Sequence, residues 1–345
     1  MPAGRYGRIR VTYPTNWTVP RMLIPLHARD VFLSIQSHVQ HIRRKFPFDA
    51  IVGAFAYPDA VVAARFARDF ECPFVALVMG SDINDLAQRP LLRPHIGAAL
   101  RDADAVIAVS HALKARVVEL GVPADRVVVQ HNSVSGKDFI IRDRIAARKE
   151  LGIDPHRQLA CFVGNLVSEK GPDILIEALA TMKRLTRPLQ VAMIGDGAMR
   201  ANLEQRTREL GLSEAVTFVG ACIPERVALW IAASDVLCLP SRREGCPNVV
   251  LEALASGRPV VGCAVGGVPE LLSSRNGVVV IPDDAAAFAS ALESALQRTW
   301  NEIDLRRSTP SLDWSTFGRS MYETLLHATA RRISGRQTDR SRDAR

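Results

Sequence analysis

Two glutamates stand eight positions apart in a stretch that runs from an apolar strand through a loop into a helix. Glu244 lies in the loop, and Glu252 follows about one turn inside a helix predicted to begin near Asn248. Both carboxylates can therefore face the same side. Free N–H groups at the helix start, around Pro247, Asn248 and Val249, predict a seat for a phosphate. The alternative is that Glu244 is a solvated loop charge and Glu252 an ordinary helix-face carboxylate.

Other residue types that often carry chemistry do not form a recognisable constellation. His111 and His131 stand at element ends without a second ligand four positions away, and the six cysteines include no C-x-x-C pair. Hydrolase and metalloenzyme classes are therefore not favoured. The turn around Gly195 and Gly197 lacks the third glycine of a dinucleotide fingerprint, so a dehydrogenase is not favoured either.

The composition is that of a globular protein large enough for two domains. The 345 residues are 48% hydrophobic and 23% charged, and one domain rarely exceeds about 200 residues. The net charge is +8, but the last fifteen residues hold six Arg and two Asp, so half of the excess lies in the tail. A nucleic-acid partner is not expected, because it would need a basic stripe on a folded face. No run matches a membrane span or signal peptide, so a cytoplasmic location is expected.

Short β-branched runs alternate with helical periodicity, as is typical of parallel sheets with crossover helices. Strands are predicted at 8–13, 50–55, 74–79, 105–109 and 126–130, then at 159–163, 189–194, 215–219, 235–239, 259–262 and 278–281. Helices are predicted at 57–70, 92–102, 111–120, 171–185, 198–211, 224–233, 248–256 and 284–299.

This alternation predicts an α/β chain of two Rossmann-like domains. The first is expected at 1–140 and the second at 141–313, then a helix at 314–332 and a basic, disordered tail at 333–345. Turn-forming residues at 132–143 interrupt the alternation, so the linker between the two domains is expected there. Because α/β sheets bind ligands at the carboxyl ends of their strands, a cleft between the domains is expected to hold the site.

A separate segment at 28–46 repeats apolar residues at helical spacing and ends in Arg43, Arg44 and Lys45. This pattern predicts an amphipathic helix with a basic end. It is interpreted as a core-facing helix of the first domain or, alternatively, as a helix that contacts an anionic membrane surface.

Several motifs in chain order support a resemblance. They are Phe55-Ala-Tyr-Pro-Asp59, Gly80-Ser-Asp82, Ala103-Asp-Ala-Val-Ile-Ala-Val-Ser110, Val163-Gly-Asn-Leu-Val-Ser-Glu-Lys-Gly171, Ile194-Gly-Asp-Gly197, Glu244-x7-Glu252 and Val265-Gly-Gly-Val-Pro-Glu270. Over nearly the whole chain this set resembles the retaining nucleotide-sugar glycosyltransferases of family 4, which have the GT-B fold. The Glu-Gly-Cys-Pro-Asn form of the sixth motif is most similar to surface-polysaccharide transferases.

The resemblance implies a role for each matched residue. Lys170 matches the family's phosphate-binding lysine and would stabilise the negative charge that develops on the leaving diphosphate. The alternative is that Lys170 is a solvated loop lysine. Glu252 would accept hydrogen bonds from the ribose hydroxyls and Glu244 from hydroxyls of the transferred sugar. Gly220 ends the strand whose backbone would contact the base.

Two positions depart from the family pattern. Met79 stands where a histidine usually contacts the donor sugar, although Gly80 still permits close backbone approach. Asn165 stands where an arginine commonly adds a second cation, so the phosphate site would depend more on Lys170 and the helix N-terminus. Asp82 is assigned to the acceptor side, with capping of the following helix as the alternative.

The resemblance implies a retaining transfer of a hexose-type sugar from a UDP-, GDP- or ADP-sugar to a saccharide or lipid-linked saccharide. No metal and no cofactor besides this donor are expected. The alternatives are a catalytically impaired GT-B-fold binding or scaffold protein and a nucleotide-sugar epimerase. The family's first strand, glycine-rich loop and long helix have no match before 8–13, so the first domain is expected to be incomplete.

Overall fold

A computed structural model of the protein describes residues 4–6, 9–15, 26–182 and 188–343. The described strands are β1 (Gly4–Tyr6), β2 (Ile9–Val11), β3 (Ile51–Ala54), β4 (Phe74–Val78), β5 (Ala105–Ala108), β6 (Val127–Val129), β7 (Gln158–Val163), β8 (Leu189–Ile194), β9 (Val216–Gly220), β10 (Val236–Leu239), β11 (Val260–Cys263) and β12 (Gly277–Val280).

The described α-helices are α1 (His27–Lys45), α2 (Val61–Asp69), α3 (Ser81–Asn84), α4 (Arg93–Asp102), α5 (His111–Glu119), α6 (Arg144–Leu151), α7 (Pro172–Thr181), α8 (Arg200–Glu209), α9 (Pro224–Ala233), α10 (Asn248–Ala255), α11 (Val268–Leu271), α12 (Ala285–Gln297), α13 (Glu302–Arg307) and α14 (Trp314–Asp343). Single turns of 3₁₀-helix or π-helix occur at Ala56–Ala60, Leu86–Gln88, Ala124–Arg126 and Ser168–Lys170.

The first compact unit comprises Met1–Ala108, Leu113–Val129 and Ser320–Arg345. Its parallel sheet has the order β3-β4-β5-β6, which confirms four of the predicted strands. The predicted strand at 8–13 is wrong as a member of this sheet. Instead, β2 pairs antiparallel with β1 in a separate two-stranded sheet, and its residues from Ile9 to Val11 are exposed or only half-buried.

Helix α1 packs on α2 in this unit, so one predicted orientation of the amphipathic segment is confirmed. The Phe32 side chain is 2% exposed and its ring centroid lies 4.6 Å from that of Phe66. The guanidinium of Arg65 lies over the Phe32 ring at 3.9 Å. The apolar face of α1 therefore covers the core beside α2.

The second unit comprises Val109–Ala112 and Gln130–Arg319. Its parallel sheet has the order β12-β11-β10-β7-β8-β9, and all six strands predicted in the second half are confirmed. Consecutive residues such as Leu237 and Cys238 are both buried, so helices cover both faces of the sheet, as a parallel sheet requires.

The turn-rich segment at 132–143, expected to link the domains, packs within the second unit. Val134 and Gly136 donate backbone hydrogen bonds to Ser311 and Leu312, at 3.2 and 3.0 Å. The Arg306 guanidinium donates to the carbonyl oxygen of Phe139 at 2.7 Å. These bonds explain why the second unit begins at Gln130 rather than near residue 141.

The last helix, α14, extends past residue 332 to Asp343, through most of the segment expected to be a disordered tail. No proline follows Pro310, and arginine and glutamine favour helices. The segment therefore contains no proline that would break the helix, and its one glycine, Gly335, lies within the helix. Among the residues that the structure describes, no helix combines the length and apolar character needed to cross a membrane.

Candidate functional site

The loops that follow β7 and β10 meet at the carboxyl edge of the second unit's sheet. Gly171 lies between them with φ +61°, and a Cβ atom there would stand 2.1 Å from the carbonyl oxygen of Pro240. Only glycine allows this approach without a backbone shift. The contact brings the neighbouring residue, Lys170, to the loop that carries the first glutamate of the E-x7-E motif.

Lys170 and Glu244, 74 positions apart in the sequence, form an ion pair. The Lys170 Nζ donates to Glu244 Oε1 at 2.8 Å and to Oε2 at 3.0 Å. The Ser241 Oγ donates to the same Oε1 at 2.8 Å. The side chain of Glu244 is 5% exposed and that of Lys170 33% exposed, so neither is a freely solvated loop charge. The structure thus brings together the proposed phosphate-binding cation and the proposed sugar-binding carboxylate.

Arg242 fastens the same two loops and was not singled out from the sequence. Its guanidinium binds both carboxylate oxygens of Asp173, at 2.9 and 2.7 Å, Asp283 at 2.5 Å and the Ser168 carbonyl oxygen at 2.7 Å. We call this arrangement the Arg242 clamp. Although burial opposes ionisation, the guanidinium lowers the pKa of Asp173. The Lys170 loop is held on both sides by this charged network.

Glu252 lies on α10 with a carboxylate that forms no hydrogen bond or ion pair with any residue in the described part of the chain. Burial raises its pKa to about 7. A largely buried carboxylate without a hydrogen-bond partner lowers the stability of the folded protein. Hydroxyl donors on a ligand would supply the missing hydrogen bonds. This environment differs from that of a solvated helix-face carboxylate.

The start of α10 differs in one detail from the sequence expectation. Pro247 is the N-cap and has no N–H to offer a phosphate, so that part of the prediction is wrong on chemical grounds. Asn248 and Val249 occupy the first helical positions and keep theirs. Asn132, which the sequence indicated only as part of a turn, donates to Asn248 Oδ1 at 2.8 Å and to the Cys246 carbonyl oxygen at 3.3 Å.

Asn165 and Gly220 lie in the same unit, and in the described part of the chain neither forms a hydrogen bond with Lys170 or Glu244. Asn165 is exposed in the loop after β7, and Gly220 ends β9 with φ +86°. The turn after β11 approaches the E-x7-E loop more closely. A Cβ on Gly266 would stand 2.0 Å from the Glu244 carbonyl oxygen, and Gly267 N–H donates to the Gly245 carbonyl oxygen at 2.9 Å.

Glu270 closes this turn and was also missed as a side chain that organises the unit. Its carboxylate accepts from the backbone N–H groups of His111 and Ala112, at 2.9 and 3.0 Å, and lies 2.9 Å from His131 Nε2. Burial raises and these bonds lower the pKa of Glu270, with a net decrease. The VGGVPE motif contained the residue, but partners 139 to 159 positions away gave no local signal.

In the first unit, Asp82 is completely buried. Its two oxygens accept from the backbone N–H groups of Ala56 at 2.9 Å, Gly80 at 2.7 Å, Ile83 at 3.1 Å and Met79 at 3.2 Å. These bonds join the turn after β3 to the turn after β4. The arrangement favours a structural role for Asp82 over direct contact with an acceptor. The N-cap of α3 is Gly80, which is buried at φ 149°, so Asp82 joins the two turns rather than capping the helix.

Two family matches together cover most of the chain. Residues 2–133 match the family "Glycosyl transferase 4-like domain", and residues 143–308 match the family "Glycosyl transferases group 1". A similar curated protein is the "Putative teichuronic acid biosynthesis glycosyltransferase TuaC" of Bacillus subtilis (strain 168). It is 31% identical over 255 residues, which are 71% of this chain and 60% of that protein. Across the first three curated relatives the matched region spans 46 to 63% of their length.

Solved structures show the same fold at lower identity. "Anabaena Alr3699/HepE in complex with UDP" has a TM-score of 0.75 and 24% identity, over 87% of this chain and 83% of that one. The sucrose-phosphate synthase of Thermosynechococcus elongatus has a TM-score of 0.78 and 24% identity, over 90% and 81%. The predicted fold class, two parallel-sheet Rossmann-like domains of the GT-B type, is confirmed.

Proposed function

We propose that the chain is a retaining glycosyltransferase, because it matches a glycosyl transferase 4-like domain and a group 1 glycosyl transferase domain. It moves a hexose-type sugar from a nucleoside-diphosphate sugar to a hydroxyl of a saccharide or lipid-linked saccharide. The single observation that carries the proposal is the contact between Lys170 and Glu244, because it places a cation for the diphosphate beside a carboxylate for the sugar.

Each step of the proposed reaction has a group suited to it. The acceptor oxygen bonds to the anomeric carbon on the face from which the diphosphate departs, and a leaving phosphate oxygen takes the acceptor proton. Lys170 and the N-terminus of α10, at Asn248 and Val249, stabilise the negative charge that develops on that phosphate. Glu252 accepts from the ribose hydroxyls. In this mechanism no protein nucleophile and no metal ion take part.

The donor and the acceptor are inferred with different support. HepE was crystallised with UDP, with UDP and glucose and with UDP-glucose, which supports a nucleoside-diphosphate sugar as donor. TuaC is named for teichuronic acid biosynthesis, which supports a saccharide acceptor in cell-surface polysaccharide synthesis. We infer that Asp82 shapes the first unit's turns rather than binding this acceptor.

A lipid-linked acceptor would be met at a membrane, and α1 offers a surface for that contact. Leu33 and Phe46 are 53% and 67% exposed, and Arg44 and Lys45 lie at the same end of the helix as Phe46, with Lys45 exposed. Apolar side chains beside basic ones suit an anionic lipid surface. Peripheral association at the inner face of the membrane is therefore part of the proposal. Co-sedimentation with phosphatidylglycerol vesicles but not with phosphatidylcholine vesicles is expected, and a Phe46→Ser/Lys45→Gln variant should bind less.

A binding screen followed by a turnover assay tests the enzymatic proposal. UDP-, GDP- and ADP-glucose are compared by thermal shift, since a ligand at 100 times its Kd stabilises by about 2.7 kcal/mol. The stabilising donor is then incubated with free and lipid-linked oligosaccharides. Nucleoside diphosphate and a glycosylated product are expected in equal amounts. Binding without turnover would instead favour a scaffold protein, and an isomerised donor would favour an epimerase.

A further inference from the structure

The Lys170–Glu244 ion pair places a negative charge directly beside the ammonium group that is proposed to bind the donor diphosphate. Both carboxylate oxygens of Glu244 lie within 3.0 Å of the Lys170 Nζ. A phosphate oxygen that contacts this ammonium also comes close to the carboxylate, whose like charge repels it. Because Glu244 is 5% exposed, water screens this repulsion poorly.

Glu244 is held both at its backbone and at its carboxylate, so it is less free than Lys170 to move away from the repulsion. The Ser241 hydroxyl holds its Oε1 at 2.8 Å, and the Gly266 backbone packs against its carbonyl oxygen so closely that a Cβ would stand 2.0 Å away. Lys170, in contrast, has a flexible side chain that is 33% exposed and three donor hydrogens. The carboxylate is thus the fixed member of the pair and the ammonium is the mobile one.

The sugar of the donor changes the competition between Glu244 and the diphosphate for Lys170. When an intact donor binds, its sugar hydroxyls can donate to Glu244 and add hydrogen bonds to those that the carboxylate already accepts. After transfer the sugar has left with the acceptor, so Glu244 loses those hydroxyls while the diphosphate still occupies Lys170. The carboxylate and the phosphate then compete for one ammonium.

We propose that Glu244 is an internal competitor for Lys170 that weakens the binding of the nucleoside diphosphate product and so promotes its release. This inference rests on the proposed function, since it gives a second role to the same pair. It makes an unusual prediction for a residue of a binding site: removing the charge of Glu244 tightens the complex with free diphosphate.

Calorimetric titration of the full chain with UDP, GDP and ADP tests this, using whichever of the three binds the wild-type protein most tightly. Glu244→Gln should bind that diphosphate about three- to tenfold more tightly, yet bind the matching nucleotide sugar no more tightly than wild type. In a Lys170→Met background, adding Glu244→Gln should change the affinity less than twofold. Glu169→Gln, which removes a nearby exposed charge, is the matched control and should also change it less than twofold.

The double-mutant comparison separates competition for Lys170 from general repulsion. An equal gain in the Lys170→Met background would overturn the proposal, as would equal or weaker diphosphate binding by Glu244→Gln. If Glu244→Gln does not fold, Glu244→Ala is held to the same outcomes, and failure of both to fold would overturn it too. Wild-type protein that binds none of the three diphosphates would contradict the proposed function itself, whereas a wrong sign at Glu244 would leave that function standing.

Discussion

Glu252 is a largely buried carboxyl whose pKa is raised to about 7 by burial, so its charge changes within the physiological range. Ionised, it accepts stronger hydrogen bonds from ribose hydroxyls than it does when protonated. We expect the affinity for the nucleotide sugar to rise by up to about tenfold between pH 6 and pH 8, as the ionised fraction grows. Calorimetry with the sugar nucleotide measures this without a titrating terminal phosphate. Glu252→Gln should bind more weakly at pH 8 and show a flat profile.

The same group has the opposite effect on the stability of the ligand-free protein. A carboxyl whose folded pKa lies above its unfolded value contributes stability that is present below the unfolded pKa and lost as pH rises through about 7. Relative to Glu252→Gln, the wild-type protein should lose roughly 1–2 kcal/mol between pH 5 and pH 8. A wild-type curve parallel to that of the variant would show that Glu252 is not desolvated.

Asp82 gives a third prediction, because its carboxylate accepts hydrogen bonds from the backbone N–H groups of four residues. An asparagine would turn an NH₂ group toward those donors. Asp82→Asn should lower the free energy of unfolding by about 2–3 kcal/mol, measured by urea denaturation. The control is Asp85→Asn, whose ion pair with Arg89 is exposed and should change stability by less than about 0.5 kcal/mol. Full stability with lost transfer would point to acceptor contact instead.

The sequence predicted the motif residues of the candidate site better than the residues that hold the surrounding loops in place. Lys170, Glu244 and Glu252 stand in recognisable local patterns. Arg242 stands two residues before the E-x7-E motif but could not be assigned, because its partners Asp173 and Asp283 are 69 and 41 positions away. Asn132 and Glu270 escaped for the same reason: each acts on backbone or side-chain groups more than 100 positions distant. Local spacing carries no information about such contacts.

At the scale of elements, the Arg242 clamp joins the loop before α7 to the loop after β10. Arg242→Met should loosen both loops and raise KM for the donor about five- to twentyfold with a smaller change in kcat, since the phosphate-binding lysine loses its fixed position. Arg242→Lys should restore little, because a lysine cannot bind Asp173 through two parallel bonds. Arg243→Met alters an exposed neighbour and should behave as wild type. Equal kinetics for the Arg242→Met and Arg243→Met variants would show that the Arg242 clamp does not position Lys170 for donor binding.

Strands were more predictable than the short helices. Buried parallel strands such as β7 and β10 carry an uninterrupted apolar signal, and all six strands of the second unit were located within two residues. Helices α3 and α11, of four residues each, are too short for a helical period to appear. The predicted helix at 57–70 begins later, at Val61, because the turn Ala56–Ala60 precedes it. Antiparallel pairing of β2 with β1 likewise leaves no trace in a three-residue strand.

In the whole molecule, each of the two family matches contains one of the two parallel sheets. The 4-like match ends at residue 133 and the group 1 match starts at 143. The gap between them lies within the turn-rich segment 132–143 that the sequence predicted as a linker. The sequence could not predict that this segment packs in the second unit, nor that residues from Ser320 onward return to the first. Both depend on long-range contacts. The cleft between the domains stays a prediction from the fold class.

We propose above all that this chain transfers a sugar from a nucleotide donor held through Lys170. The most direct measurement is nucleoside-diphosphate release by wild-type and Lys170→Ala proteins, with water alone and with oligosaccharide acceptors. We predict acceptor-stimulated release by the wild-type protein and a decrease of about two to three orders of magnitude for a folded Lys170→Ala variant, because a charge-stabilising donor is lost. Lys149→Ala, an exposed lysine on α6, should retain full activity. Near-normal release by Lys170→Ala would show that Lys170 does not hold the donor during transfer.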